Sequence, residues 1–154
     1  MNKKAWLFCI GSLIVGLVIG YFAGLIWAGG TIANTIACLE MTSVGEMEDR
    51  AFQAYQHESV PVAIYALTQA LNKEKEAEQL GETPFMSKQI ISVDLLLTHA
   101  RLAKLYAQTG QTNLSSQHFE EALNYAKTEG KLQAITNQAT LLDFVAKIDK
   151  GVKK

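Results

Sequence analysis

The sequence predicts an all-α fold, in which an N-terminal transmembrane helix is followed by antiparallel helical hairpins and a C-terminal capping helix. Residues 5–30 form an uncharged and largely apolar run, which is long enough to cross a bilayer as a helix. Beyond this run, glycines and prolines fall at intervals that suit the ends of helices. No alternating run of apolar and polar residues between turn signals indicates a strand.

The apolar run has the dimensions of a membrane span. Trp6 and Trp27 bracket it and are separated by roughly 31 Å of helix, and tryptophan favours the two membrane interfaces. A buried core helix is the alternative, but a domain of this size has no room to enclose a helix on all sides. A cleaved signal peptide fits less well because the run is longer than a usual signal core. Thr35 stands where a lipid-attachment motif has a leucine, so Cys38 is expected to be a plain juxtamembrane cysteine.

The charges beside the run predict its orientation. Lys3 and Lys4 precede it, whereas four acidic residues come before Arg50, which is the first basic residue after it. By the positive-inside rule, the N-terminus is expected in the cytoplasm and the following domain outside it. The sequence therefore predicts a single-pass integral membrane protein, with its domain facing the periplasm of a bacterial inner membrane.

Small residues recur at every fourth position of the run, on one face of the predicted helix. Such a ridge lets a second helix approach closely, so it predicts association within the membrane. Pairing of two copies and packing against a foreign helix both remain open, and glycine is in any case common in membrane helices. The predicted packing residues are Ser12, Gly16, Gly20, Gly24 and Ala28.

The chain is predicted to have three parts. Residues 1–30 form the cytoplasmic tip and transmembrane helix, residues 31–44 a bridge, and residues 45–150 a helical domain. Ser59 and Thr83 are expected N-caps, with Pro84 in the first turn that follows, and Gly81, Gly110 and Gly130 are expected helix ends. These signals predict five helices, at 45–57, 60–80, 85–109, 112–128 and 131–149, of which the last has one apolar face, as a capping helix requires.

Charge and motif content exclude several functions. The part after residue 30 carries all 15 acidic residues and 12 of the 14 basic ones, so its charge of −3 offers no basic surface for nucleic acid. The charged stretch at 73–78 is expected to be a solvated helix end. No phosphate-binding loop or catalytic motif is present, and the three histidines lack partners at metal-ligand spacing. We therefore expect no catalytic residue, metal or cofactor, and no enzymatic activity.

Residues 99–122 carry a repeat pattern, in the order HARLAKLYAQTGQTNLSSQHFEEA. Leu102 and Tyr106 occupy the first helix of the pattern, Gly110 its turn, and Phe119 and Ala122 its second helix. This segment resembles a tetratricopeptide repeat, whose signature is W-x₂-L-G-x₂-Y followed by A-x₃-F. Within the segment it departs from that signature at three positions, His99 for Trp, Ala103 for Gly and Ser115 for Ala. Just beyond it, Lys127 replaces the proline that ends the repeat pattern.

An earlier and weaker copy lies 52 residues upstream, where Ala51, Ala63 and Leu67 match Ala103, Ser115 and Phe119. A plain repeat would shift by about 34 residues, so the surplus would be a helix extension and loop near 72–89. A helical bundle that matches the pattern by chance is the alternative reading of both segments.

The resemblance implies protein binding through the first helix of the hairpin, residues 94–108, which lines a concave groove in such repeats. Leu102 and Tyr106 would then face the second helix, and the stripe left for a partner is Leu97, Arg101, Lys104 and Gln108. Its two cations suit an acidic segment or a C-terminal carboxylate, although a solvated helix face is the plain alternative.

The expected function is therefore a membrane-tethered protein-interaction module, a scaffold or assembly factor at the outer face of the membrane, with other proteins as partners. The alternative is a structural accessory subunit of a larger membrane complex, recruited through the transmembrane helix.

Overall fold

The computed structural model describes residues 3–82, 87–128, 132 and 134–151; side chains of the first helix are described from Gly20 onward, except at 22, 26, 27 and 33. Within these residues the fold is all-α, as predicted, and contains no strand. Five helices follow in chain order: α1 (Lys3–His57), α2 (Val60–Leu80), α3 (Lys88–Gln108), α4 (Thr112–Thr128) and α5 (Gln138–Gly151).

Local signals explain where α2 begins and where α2 and α3 end. Ser59 has the extended backbone of an N-cap, and Pro61 lies in the first turn, where its missing N–H leaves no bond unmade. Gly81 follows α2 with φ 79°, and Gly110 lies in the turn between α3 and α4 with φ 75°. Both positions suit glycine, because an L side chain rarely adopts positive φ.

Two helices begin later than the glycine and proline pattern predicts. Helix α3 starts at Lys88, because the Ser87 side chain accepts a hydrogen bond from the backbone N–H of Ile90. Thr83 and Pro84, the predicted start, lie outside the described residues. Helix α5 starts at Gln138, because Asn137 Oδ1 accepts from Thr140 N at 3.0 Å and Thr140 Oγ1 accepts from Asn137 N at 3.2 Å.

Helix α1 is longer than any helix the sequence predicts, and the structure corrects its assignment as a membrane span. In the part of the chain that is described, no helix has an apolar stretch long enough to cross a membrane. From Gly20 onward, α1 carries Thr31, Asn34 and Thr35, and acidic residues follow from Glu40. From Gly20 onward, where side chains are described, the consecutive apolar residues therefore fall short of the roughly 20 that a span needs. The helix also continues past residue 30, where the transmembrane helix was predicted to end and the bridge to begin.

The predictions that depended on this span are corrected with it. These are the single-pass integral membrane topology, the extracytoplasmic location of the domain and the membrane tether. Of the predicted packing ridge, Gly20, Gly24 and Ala28 are exposed on α1, and a Cβ added at either glycine would meet nothing within 4 Å. The side chains of Ser12 and Gly16 lie outside the described residues.

The chain divides into two compact units, Met1–Leu39 and Glu40–Lys154. The first consists, as far as it is described, of the N-terminal part of α1, on which Tyr21, Leu25 and Ile32 are exposed. The second contains the remainder of α1 and the other four helices, and all the core residues described below belong to it.

Helix α3 is the central helix of the second unit and packs on both sides. One face, with Ile91, Leu95 and Leu102, joins residues of α1 and α2 in one apolar cluster. The other face, with Leu96 and Ala103, joins residues of α4 and α5 in a second cluster. Leu102 was expected to face α4, but its neighbour Ala103 does so, because successive helical residues point about 100° apart.

Small side chains allow α3 and α4 to approach closely. Ala103 and Ala122 are completely buried in the second cluster, and Ser115 Oγ donates a hydrogen bond to the backbone carbonyl of Ala103 at 2.8 Å. A larger residue at any of these positions would hold the two helices apart. Tyr106 and His118 then stack across the pair, with ring centroids 5.4 Å apart.

Candidate functional site

A groove of about 430 Å³ lies within the second unit, between the C-terminal end of α1, the start of α2, and helices α3 and α5. Its volume falls in the range of about 300–1,000 Å³ that ligand sites usually occupy. The groove is open to solvent and carries both apolar and polar side chains. Its lining includes Tyr55, Glu58, Val60, Lys104, Gln108 and Lys150.

Lys104 and Tyr55 connect α3 with α1 at the wall of the groove. The Lys104 ammonium donates a hydrogen bond to the Tyr55 hydroxyl at 2.9 Å and lies 5.5 Å from the centre of its ring. Lys104 is exposed and Tyr55 half-buried, so the ammonium keeps donors for a ligand as well.

A buried ion pair joins α3 to α5 beside the groove. The Arg101 side chain donates to Asp149 Oδ1 from Nη2 at 2.8 Å and from Nε at 3.2 Å, and both residues are buried. The guanidinium also lies 4.7 Å from the centre of the Phe52 ring. Because Asp149 lines the groove but is neutralised by Arg101, the remaining charges of the groove are Lys104, Lys150 and Glu58.

The structure separates the four residues predicted to bind a partner. Lys104 and Gln108 are exposed and line the groove together. Arg101 is buried in its ion pair, and Leu97 is half-buried and lines a different, smaller cavity. A stripe of four residues spaced three or four apart on one helix thus divides between two sites, because α3 is covered on both sides.

The smaller cavity, of about 40 Å³, is lined by acidic side chains from three helices. Glu48 comes from α1, Glu74 from α2 and Asp94 from α3, and Thr98 and Arg101 of α3 complete the polar part of the wall. Glu74 is 1% exposed, and its Oε1 accepts a hydrogen bond from Thr98 Oγ1 at 2.7 Å. We call this set of five residues the acidic cavity.

Burial raises the pKa of all three carboxyl groups in the acidic cavity. It raises the pKa of Glu48 to about 8, with further contributions from Asp94 and Glu74. It raises the pKa of Glu74 to about 7 against the opposing effect of the Thr98 hydrogen bond, and that of Asp94 to about 6 against the charge of Arg101. Burial dominates in each case, because it withdraws water from the charged form.

The acidic cavity was missed at the level of sequence, where the stretch at 73–78 was interpreted as a solvated helix end. Lys73 and Glu76 do form an exposed ion pair there, but Glu74 is buried. The signal was present in the spacing, since Ala63, Leu67, Ala70 and Glu74 follow one another at three or four residues on one face of α2.

A histidine pair joins α3 to α4. The Nδ1 atoms of His99 and His118 lie 2.9 Å apart, so one ring donates its hydrogen to the other. Burial lowers the pKa of His99 to about 3 and also lowers that of His118, so both rings are neutral near pH 7. We interpret this pair as a contact between helices; among the described residues, no three acidic, histidine or cysteine side chains are placed to hold a metal ion.

Comparisons with protein-family models, with curated proteins and with solved structures find no match for this chain.

Proposed function

We propose that this chain is a protein-interaction module that binds an acidic segment of another protein in the groove between α1, α3 and α5. The acidic segment would lie along the wall formed by Lys104 and Gln108, with Lys150 on the opposite helix. The tetratricopeptide resemblance of residues 99–122 supports protein binding, and no membrane tether is part of this function.

The architecture around the groove supports this proposal. In repeats of the kind that residues 99–122 resemble, the first helix of each hairpin lines the concave surface. Here residues of α1, α3 and α5 line the groove, together with the start of α2. The small residues Ala103 and Ser115 at the α3–α4 contact are those that the repeat pattern requires to be small.

The charge of the groove is the observation that carries the choice of ligand. Two lysines, Lys104 and Lys150, line the groove with one carboxylate that is not neutralised, that of Glu58, because Arg101 neutralises Asp149. A local positive charge on a chain with a net charge of −1 favours an acidic segment or a C-terminal carboxylate. Val60 and Tyr55 offer apolar contacts for a flanking side chain.

Peptide binding tests the proposal directly. A fluorescently labelled peptide of alternating glutamate and serine with a free C-terminal carboxylate should bind the full chain, and binding should weaken as salt is added. The same peptide with lysine in place of glutamate should bind poorly. Lys104→Glu should weaken binding of the acidic peptide at least about tenfold, because it replaces an attraction with a repulsion.

Lys147→Glu is the matched control, because this residue is exposed on α5 in a pair with Asp143 and does not line the groove. It makes the same change in net charge as Lys104→Glu and should leave peptide affinity within about twofold of wild type. Equal binding of the acidic and basic peptides, or equal loss in both variants, would rule out the groove as an acidic-segment site.

A further inference from the structure

We propose that the acidic cavity is a binding site for a primary ammonium group, carried either by a small amine or by a lysine side chain. This site is separate from the groove and has the opposite preference, since it takes a cation. Four observations support the proposal: the balance of charge, the unpaired oxygen atoms, the size of the cavity and the protons that its carboxyl groups hold.

Among the described residues, no cation donates a hydrogen bond to the carboxyl groups that line the cavity. Three carboxyl groups and one guanidinium line it, but the Arg101 hydrogen bonds go to Asp149, which lies outside it. The guanidinium therefore contributes only its field, and the site is one in which a further positive charge is stabilised.

Two buried carboxyl oxygens in the cavity have no hydrogen-bond partner among the described residues, Oε2 of Glu74 and Oε1 of Glu48. Glu74 is the stronger indication, because its side chain is almost completely buried and its other oxygen is already held by Thr98. A buried acceptor without a donor is costly, and a primary ammonium group brings three donors.

The size of the cavity and its unpaired acceptors indicate the kind of cation. A volume of about 40 Å³ exceeds the 10–15 Å³ or so that one water needs, so the cavity has room for a methylammonium-sized group. A quaternary ammonium has no N–H and could not donate to the unpaired carboxyl oxygens. The described side chains include no set of three placed to hold a metal ion, which requires oxygen atoms at about 2.0–2.6 Å. An ammonium group reaches its acceptors at the longer distances of about 2.7–3.2 Å.

Protons compete with the cation for this site, which gives the proposal a distinctive readout. With pKa values of about 8 for Glu48 and about 7 for Glu74, these carboxyl groups are substantially protonated at pH 7. The charged groups that face them are Asp94 and Arg101 from α3, with Lys75 acting on Glu74 from its own helix. Binding of a cation favours the ionised carboxylates, so it must release protons.

The experiment compares two chlorides at equal ionic strength in amine-free buffer at pH 7. Methylammonium should raise the melting temperature of the full chain in a concentration-dependent manner, whereas tetramethylammonium should not. Calorimetric titration with methylammonium, in two buffers of different ionisation enthalpy, should show net proton release. Equal effects of the two cations, or binding without proton release, would overturn the proposal.

Variants assign the effect to the acidic cavity. Glu74→Gln keeps the shape of the side chain but removes its charge, and it should weaken methylammonium binding at least about tenfold. Glu76→Gln is the matched control, because this residue is exposed two positions along the same helix and should leave binding unchanged. If Glu74→Gln does not fold, Glu48→Gln provides the same test. Unchanged affinity in the folded cavity variant would overturn the proposal.

The source of the ammonium group is distinguished by a second ligand. Nα-acetyl-lysine methylamide presents the same group on a long chain. Binding that is comparable to that of methylammonium would support the site and assign it to a lysine side chain. Binding of methylammonium alone would support the site and assign it to a small amine. Binding of neither would exclude an ammonium site.

Discussion

At the scale of a single residue, burial of a carboxyl group destabilises the folded chain, and Glu74 is such a group within α2. Its neighbours on the same helix face, Leu67 and Ala70, are buried apolar residues, and an apolar residue at position 74 would continue their face. Burial shifts the balance toward the neutral form, because the ionised form loses water and gains only one hydrogen bond, from Thr98.

The pH dependence of stability is therefore predicted to change in Glu74→Gln. The pKa of Glu74 is about 7 in the folded chain and near its ordinary value of 4.5 in the unfolded chain. The folded state holds the proton more tightly, so its stabilisation is present below pH 4.5 and is lost as pH rises through 7. Glutamine does not ionise, so relative to wild type the variant should gain roughly 3 kcal/mol between pH 4.5 and pH 8.

Urea unfolding of both chains at pH 5 and pH 8, in amine-free buffer, measures this gain. Glu76→Gln serves as the control and should differ from wild type by the same small amount at both pH values, because its side chain is exposed. A difference between Glu74→Gln and wild type that does not change with pH would mean that Glu74 is already ionised in the folded chain.

The spacing of residues along α3 could not predict the whole candidate site, because some of its contacts join residues that are far apart in the sequence. Lys104 and Gln108, which lie four residues apart on α3, both line the groove. Arg101 was expected in the same stripe, but it is buried by a partner that follows 48 residues later, Asp149. Breaking such a pair would leave one buried charge alone, at a cost of roughly 3–5 kcal/mol. We therefore use Lys104, and not Arg101, to test the groove.

At the scale of elements, the organisation of the second unit follows from α3, because the other helices pack around it. Leu95 and Leu102 of α3 point toward α1 and α2, while Ala103 of α3 and Ser115 of α4 permit the close approach of α4. Each neighbouring helix therefore brings its polar side chains to a different side of α3. The groove arises where α1 and α5 flank Lys104, and the acidic cavity arises where α1 and α2 flank Asp94.

The turn between α3 and α4 gives a prediction about glycine. Gly110 has φ 75°, so Gly110→Ala should destabilise the chain by about 1–2 kcal/mol, because a side chain at positive φ meets the backbone. Gly45 lies within α1, where an added Cβ would meet nothing within 4 Å. Gly45→Ala should therefore stabilise the chain by about 0.5–1 kcal/mol.

Urea midpoints of the two alanine variants measure both effects on one scale. Opposite signs for the two substitutions are expected, since the same chemical change is made at a left-handed position and at a helical one. If Gly110→Ala stabilised the chain as Gly45→Ala does, the turn would not require its positive φ.

Helix ends were predictable where a glycine or a cap marked them locally. The bounds of α2 and α4 agree with the prediction, and Gly81 and Gly110 lie at the expected turns. The predicted starts of α3 and α5 were too early, because Ser87 and Asn137 cap these helices later in the chain than the proline and glycine positions indicate. Helix α1 was predicted as separate parts with bounds at residues 30 and 44, but it continues through Gly29 and Gly30, because glycine lowers helix propensity by only about 1 kcal/mol and does not by itself end a helix.

At the scale of the whole molecule, the described core is confined to one of the two units. The buried residues identified in the described part of the chain run from Val44 to Asp149, and so belong to the unit Glu40–Lys154. Both candidate sites are made from this unit alone, since their lining residues begin at Glu48. Folding and binding are thus expected to depend on this unit.

Removal of residues 1–39 tests that expectation. The shortened chain should unfold cooperatively, with a free energy of unfolding within about 1 kcal/mol of the full chain, because no residue of the described core is lost. It should also keep its affinity for the acidic peptide.

Removal of residues 1–52 is the contrasting deletion, since it takes away Val44 and Ala51 from the first apolar cluster and Glu48 from the acidic cavity. We expect it to cost more than about 2 kcal/mol, because the space those side chains fill in the core is left empty. Urea unfolding followed by circular dichroism compares the three chains, and loss of cooperative unfolding in the 1–39 deletion would show that the N-terminal unit is needed for the fold.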